Sequence, residues 1–242
     1  MRLEGAVCLV TGASSGIGRA TATALRAAGA DVVALGRDEA ALASLGGRRI
    51  VCDLADAGEV ERAAVEAGAV DVLVANAGIG RAGPFAELEP ETAERLLRVN
   101  LLAPLLLARA LVPGMLERGR GHVVVVGSIV GHVGAREEAA YAATKGGLVA
   151  FAASLRQELA GGPVGVSLVT PGVVATPFFD RRGRPYERAF PRPLPPERVA
   201  AAIVDAVEHD RAEVFVPRWL ALPARLRAVA PGLYRALAAR FD

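Results

Sequence analysis

Lysine is nearly absent from this sequence. Of its 28 basic residues, 27 are arginine and one, Lys145, is lysine. Cysteine is almost as scarce: Cys8 and Cys52 are the only two in 242 residues, which excludes a disulfide framework. Both fall in strand-like runs, AVCLVT and RRIVCDL, and read as small buried hydrophobes in a reducing compartment. The three histidines, His122, His132 and His209, lie far apart with no cysteine or carboxylate at ligand spacing, so no metal site is expected. Net charge is also small, at +2, and gives no basis for a nucleic-acid partner.

No spanning helix is expected either, although mean hydropathy is +0.35. The longest uncharged stretch, Leu159 to Phe179, holds four glycines and three prolines, which a membrane helix would not carry comfortably. The opening MRLEGAVCLVTG has an acid at Glu4 and moves straight into a strand pattern, unlike a signal peptide. A soluble, cytoplasmic protein is the expectation. With 52% apolar and 22% charged residues, the chain suits one large domain, residues 1–242, and disorder is excluded.

Short β-branched runs alternate with longer helical patterns from end to end. The runs expected as strands are Ala6–Thr11, Asp31–Leu35, Arg49–Cys52, Val70–Ala75, His122–Gly127, Gly165–Thr170 and Glu213–Val216. Several are apolar throughout, as strands covered on both faces are. Helical spacing marks Ile17–Ala28, Gly58–Ala67, Pro90–Leu116, Ala139–Leu159 and Pro196–Glu208. The predicted fold class is α/β: a Rossmann-type, doubly wound parallel sheet of about seven strands with helices on both faces.

Two regions stand outside that alternation. Asp180–Arg198 holds six arginines and five prolines with no apolar periodicity, and is expected to be a long exposed substrate loop. The tail, residues 218–242, sets Trp219, Leu222, Leu226, Val229, Leu233 and Leu237 at spacings of three and four. Pro223 and Pro231 divide it into two short amphipathic helices. Such a tail docks on its own fold or a partner subunit, or contacts a membrane surface. From Arg181 onward the charge is +5, against −3 for the residues before it.

Three constellations carry chemistry. The first strand runs into Thr11-Gly12-Ala13-Ser14-Ser15-Gly16-Ile17-Gly18 and then a helix. That order sets backbone N–H groups and a positive helix end against a phosphate, though glycines alone also make plain structural turns. At the end of the second strand, Gly36-Arg37 stands where an acid would grip ribose hydroxyls, and Arg37 suits a 2′-phosphate. A solvated arginine is the plain alternative, and Asp38 next to it is an acid with the opposite preference. Third, Tyr141 and Lys145 are four apart in a helical segment, hence on one face. Bringing a phenol from about 10 to ~7 takes roughly 4 kcal/mol. A cation at about 4 Å and an effective dielectric of ~20 supplies about that much.

From about Leu3 to Val216 the sequence resembles the short-chain dehydrogenase/reductase family. The motifs that carry the resemblance occur in order: Thr11–Gly18, Asn76-Ala77-Gly78, Ser128 with Tyr141 and Lys145, and Pro171-Gly172. It implies that Tyr141 is the general acid/base, that Ser128 polarises the substrate carbonyl, and that Lys145 lowers the phenol's pKa and holds the nicotinamide ribose. Asn100 matches the asparagine that positions a water linking the lysine to solvent. The implied cofactor contacts are Gly12, Ser14, Ser15, Gly16, Ile17 and Gly18 in the turn, with Arg37. Asp53 and Leu54 resemble the pair at the adenine, and Asn76, Ala77 and Gly78 the turn beside the adenosine. Pro171, Gly172, Val174 and Thr176 resemble the nicotinamide segment, and Tyr141 and Lys145 belong to the cofactor contacts as well. Gly127 and Ala75 depart from the residues usual in the family, a serine and an asparagine.

The function this implies is NADP(H)-dependent interconversion of a ketone or aldehyde and an alcohol, with NADP(H) favoured over NAD(H) and a small-molecule substrate. A homodimer or homotetramer is expected, with Leu101–Leu107 as a core or subunit-contact segment. The alternative is a dinucleotide-binding sensor or scaffold that has lost turnover.

Overall fold

The computed structural model describes residues 1–238; the last four residues of the tail, 239–242, lie outside the described residues. Seven strands form one sheet: β1 (Val7–Thr11), β2 (Asp31–Gly36), β3 (Arg48–Val51), β4 (Val72–Ala75), β5 (Gly121–Val126), β6 (Val164–Pro171) and β7 (Glu213–Val216). All pairs are parallel, in the order β3-β2-β1-β4-β5-β6-β7. The chain leaves β1 on one side to build β2 and β3, then returns to its other side with β4. Ligands of such sheets bind in the crevice at the strand C-termini where the order reverses, here between β1 and β4.

The helices are α1 (Gly16–Ala27), α2 (Glu39–Ala43), α3 (Ala57–Ala67), α4 (Pro90–Leu97), α5 (Ala103–Glu117), α6 (Ile129–Val133), α7 (Ala139–Glu158), α8 (Phe178–Arg181), α9 (Pro196–Glu208), α10 (Ala221–Val229) and α11 (Pro231–Ala238). Successive strand residues divide between two cores, because strand side chains alternate faces. Leu9, Leu73, Val123 and Val125 pack with α3, α5 and α7; Val10, Val74 and Val124 pack with α1 and α9. Both sheet faces are thus dry, which is why the strands are apolar without alternation.

The pattern Pro90–Leu116 is not one regular helix. It breaks into α4, a π-helical turn at Arg98–Leu102, and α5. Pro104, in the first turn of α5, has no N–H for the Asn100 carbonyl, and its ring crowds that carbonyl. The backbone slips by a residue there. The composite Pro90–Glu117 is long and apolar enough to cross a membrane, but α5 buries Leu107, Leu111 and Met115 against the sheet.

The segment after β6 is more ordered than a free loop. α8 occupies its start, Arg182 is buried, and Leu194 bridges back to Val174. The tail forms its two helices, with Pro223 in the first turn of α10 rather than between them. α10 rests on α6, where Arg227 donates to the His132 carbonyl at 2.6 Å. Leu220 is buried, while Leu222, Val229 and Leu233 face outward. Cys8 and Cys52 are buried free thiols, and burial pushes them up to about 12 and about 11.

Candidate active site

Thr11, the last residue of β1, organises the crevice. Its hydroxyl donates to the Val74 carbonyl at 3.3 Å and accepts from the N–H groups of Asn76 and Ala77, both at 3.0 Å. Asn76 returns the contact, donating from Nδ2 to the Thr11 carbonyl at 2.9 Å. The ends of β1 and β4 are therefore pinned to each other, and Asn76 and Ala77 serve the crevice floor. Gly12 and Gly16 take φ values of +68° and +52°, which side chains with a Cβ rarely adopt. At Gly18 a Cβ would fall 2.2 Å from the Gly12 carbonyl oxygen. Ser15 leads α1 without a side-chain cap, so the first-turn N–H groups of Gly16, Ile17 and Gly18 are available to an anion. This open donor set fits a dinucleotide's pyrophosphate.

At the end of β2 the structure separates the two charged neighbours. The Asp38 carboxylate accepts from the Ala41 N–H at 2.9 Å and caps α2. Arg37 is exposed and makes no ion pair among the described residues. Ser14 lies below Gly36, where a Cβ would sit 3.4 Å from its Oγ. Beyond β3, Leu54 is buried and Asp53 accepts from the Ala55 N–H at 3.1 Å and from Arg95 at 2.9 Å. Burial would raise the Asp53 carboxyl, but these two donors outweigh it and hold it below its usual range. Nothing in the sequence spacing marks Arg95, on α4, as its partner.

The catalytic candidates converge at the C-terminal ends of β4 and β5. Ser128 follows β5 and caps α6, accepting from the Val130 N–H at 3.3 Å. Tyr141 and Lys145 are buried one turn apart on α7, with the Lys145 Nζ 5.9 Å from the phenol ring centroid. The ammonium donates to the Val126 carbonyl at 2.9 Å. Asn100 lies in the π turn, fully buried; it accepts from the Ile79 N–H and donates to the Ile79 carbonyl, both at 2.8 Å, and donates to Thr144 Oγ1 at 3.2 Å. Thr144 in turn donates to the Tyr141 carbonyl at 2.7 Å. A Cβ on Gly78 would approach both Asn100 and Lys145 to 3.5 Å, so the small residue keeps that corner open.

Burial acts against the lowering of the phenol expected from Lys145. Burial raises the Tyr141 phenol well above its usual range, and the nearby Ser128 hydroxyl pulls only partly the other way. The same burial lowers Lys145 to about 8. A neighbouring cation alone would lower the phenol, but desolvation acts on both groups and prevails.

The segment Pro171–Arg184 closes the site from above. Pro171 ends β6, and the Gly172 N–H donates to the Val216 carbonyl at 2.9 Å. Thr176 sits over Gly16, whose Cβ would meet it at 2.9 Å. Phe178 covers Tyr141. Arg182 forms a buried ion pair with Glu138, and Arg184 pairs with Glu137. These two clasps join the segment to the start of α7, a link between positions too far apart for sequence spacing to reveal.

A family model described as short chain dehydrogenase matches residues 6–187. The chain belongs to the short-chain dehydrogenase family. It is 33% identical to dehydrogenase/reductase SDR family member 7B of Bos taurus, over 98% of this chain and 82% of that protein. In structure it is similar to a short chain dehydrogenase/reductase from Burkholderia phymatum in complex with NAD, with a TM-score of 0.85, 28% identity and 96% of both chains covered. A short-chain dehydrogenase from Sphingobium yanoikuyae in complex with NADPH gives a TM-score of 0.84 and 27% identity, covering 97% of this chain and 95% of that one. As a short-chain dehydrogenase the protein is an oxidoreductase that uses a nicotinamide dinucleotide.

Proposed function

We propose that this short-chain dehydrogenase is an NADP(H)-dependent ketone reductase or secondary-alcohol dehydrogenase in which Tyr141 carries the proton. The observation that carries this reading is the meeting of Ser128, Tyr141, Lys145 and Asn100 at the C-terminal ends of β4 and β5, beside the crevice. When bound, the nicotinamide supplies or accepts the hydride. Ser128 Oγ donates to the substrate oxygen and polarises it. Tyr141 Oη gives that oxygen its proton in reduction and takes it back in oxidation. Lys145, held by the Val126 carbonyl, places a compact positive charge beside the phenol and serves the ribose. Asn100 holds the π turn to Ile79 and so keeps the lysine corner in shape.

The preference for NADP(H) rests on Arg37 and Asp38. Asp38 is occupied as a helix cap, and Arg37 is left to pair with a 2′-phosphate. Asp53, tied to Arg95, borders the adenine side. The exposed apolar residues Leu97 of α4, Leu102 of the π turn and Leu116 of α5 support a homo-oligomer that covers them. No observation favours the binding-only alternative.

NADPH oxidation against a panel of ketones, β-ketoacyl thioesters, steroids and sugars tests the reading. Turnover of at least one carbonyl class, lost on Tyr141→Phe, is the expected result. Absence of turnover across the panel, with NADPH bound, would count against it.

A further inference from the structure

The glycine-rich turn has no cation of its own. Every residue from Thr11 to Gly18 is uncharged. Arg19, the first basic residue of α1, turns its guanidinium away to the Ala41 carbonyl and the Ser44 hydroxyl, at 3.3 and 3.1 Å. The cation that does reach the turn comes from 166 residues further along the chain: Arg181, at the end of α8, donates from Nη1 to Ser15 Oγ at 3.2 Å. Its approach is fixed by Thr176, which lies against Gly16. The segment after β6 therefore touches the turn at two points, and the second is an exposed guanidinium.

We propose that Arg181 is a cofactor-binding residue whose guanidinium meets the dinucleotide's pyrophosphate and so ties the substrate segment to bound cofactor. This rests on the reading that a dinucleotide occupies the turn. A pyrophosphate carries two negative charges. The N-terminus of α1 answers with the equivalent of about half a positive charge and its N–H donors. A neutral hydroxyl is a weak partner for a guanidinium beside such a group, whereas phosphate oxygens accept from it in charge-assisted and bidentate geometry. Little holds Arg181 to Ser15, because the contact is exposed and made to a neutral group. α8 also carries Phe178, over Tyr141, and precedes Arg182, paired with Glu138. A cofactor held by Arg181 thereby holds the elements that cover the proposed proton carrier.

Arg181 and Arg37 are expected to read different parts of the cofactor, which makes the inference testable by binding alone. The 2′-phosphate that Arg37 suits belongs only to NADP(H), while the pyrophosphate is common to NADP(H) and NAD(H). Titrations of NADPH, NADH and 2′-phosphoadenosine, followed by calorimetry and nicotinamide fluorescence, compare wild type with Arg181→Gln, Arg181→Lys and Arg37→Leu. Arg181→Gln is expected to weaken both dinucleotides by the same factor, about 5- to 50-fold. It leaves 2′-phosphoadenosine and the Tm of the free protein unchanged, and Arg181→Lys recovers part of the loss. Arg37→Leu weakens NADPH and 2′-phosphoadenosine but not NADH. Unchanged dinucleotide affinity in Arg181→Gln, with wild type binding normally, overturns the inference, as does an equal loss for 2′-phosphoadenosine. If wild type binds neither dinucleotide, the underlying reading fails, and Arg181 with it.

Discussion

The ring of Phe178 lies against the ring of Tyr141, with centroids 5.4 Å apart and planes tilted by 48°. The covering continues outward, from Phe178 to Phe179 and from Phe179 to Tyr186, with the Arg182 guanidinium over the Phe179 ring at 4.7 Å. The phenol proposed to exchange a proton with substrate is thus shielded by a row of aromatic side chains from the segment after β6.

Phe178→Ala is expected to let water reach the phenol. Burial is the main cause of its raised ionisation, so opening the cover brings the pKa down. Alcohol oxidation, which needs the phenolate, then reaches half-maximal kcat/KM at a lower pH than in wild type. A pH–rate profile of both proteins checks this, and coincident midpoints would show that Phe178 does not shield Tyr141.

Removing the proton carrier and altering its neighbour have different expected signatures. Tyr141→Phe keeps the packing of the ring and loses the hydroxyl, so kcat falls by about 10²–10⁴-fold while NADPH still binds. Lys145→Arg keeps a charge but forces a broad fork into a corner built for one ammonium and one carbonyl. It is expected to lower kcat and to weaken cofactor binding together. Steady-state kinetics with parallel titrations separate the two cases, and normal kinetics in Lys145→Arg would make the single lysine an accident of composition.

Cofactor choice is expected to depend on two residues. An arginine–phosphate contact is worth about 1.5–3 kcal/mol net, or roughly 10- to 150-fold in favour of NADPH. The double variant Gly36→Asp/Arg37→Leu accepts a Cβ at position 36, which would meet only ordinary contacts at 3.4 and 3.5 Å. Its Kd values for NADPH and NADH are expected to swing toward NADH. Equal affinities in wild type, or no swing in the variant, would defeat the assignment.

All seven strands were legible because the sheet is dry on both faces, so runs such as Val123–Val126 are apolar without interruption. The glycine turn and the tyrosine–lysine pair were legible for another reason: each is confined to a few consecutive residues. The hidden features join distant polar residues. Arg95 with Asp53, Arg182 with Glu138 and Arg181 with Ser15 are 42, 44 and 166 positions apart, and charged side chains obey no period. The π turn escaped because the apolar spacing around Leu96, Val99 and Leu107 does not register a one-residue slip in backbone bonding; Pro104 was the available sign. α2 could have been found from Asp38, an N-cap residue just before Glu39.

His122 is expected to make stability fall in mild acid. It is buried at 2% exposure with Nε2 2.8 Å from Ser167 Oγ. The Ser167 hydroxyl donates to the Arg211 carbonyl, so Nε2 is the donor to Ser167. Burial lowers the imidazole from 6.5 to about 4. A lowered folded-state pKa means that the unfolded chain binds the proton first. The contribution is complete above about pH 6.5 and is lost as pH falls toward about 4, to a ceiling of about 3 kcal/mol. Urea midpoints from pH 7.5 to 4 for wild type and His122→Gln check this. The variant's profile is expected to be flatter across that window, and parallel profiles would remove His122 as the cause.

Trp219 is the only tryptophan in the sequence, and it stacks on Phe190 of the substrate segment at 5.9 Å and 20°. Its fluorescence is therefore expected to report movement of that segment. NADPH with a substrate analogue changes the emission and slows trypsin cleavage after Arg181, and Trp219→Ala raises KM more than it lowers kcat. Emission and cleavage that both ignore ligands would show that the segment does not respond to them.

The π turn at Arg98–Leu102 leaves this enzyme sensitive to chain length at one spot. Such a turn amounts to one residue inserted into an α-helix. Deleting one residue there would restore ordinary hydrogen bonding and leave α4 and α5 in nearly their present relation, because the wide turn holds the extra residue within a single revolution. Asn100, which the wide turn carries, would lose its place against Ile79. An effort to idealise this helix for thermostability would thus gain backbone regularity and lose the corner beside Lys145. Single-residue deletions across Arg98–Leu102 should leave a protein that melts at or near the wild-type temperature and turns over poorly, whereas length changes at the exposed Gly46-Gly47 turn are expected to be tolerated.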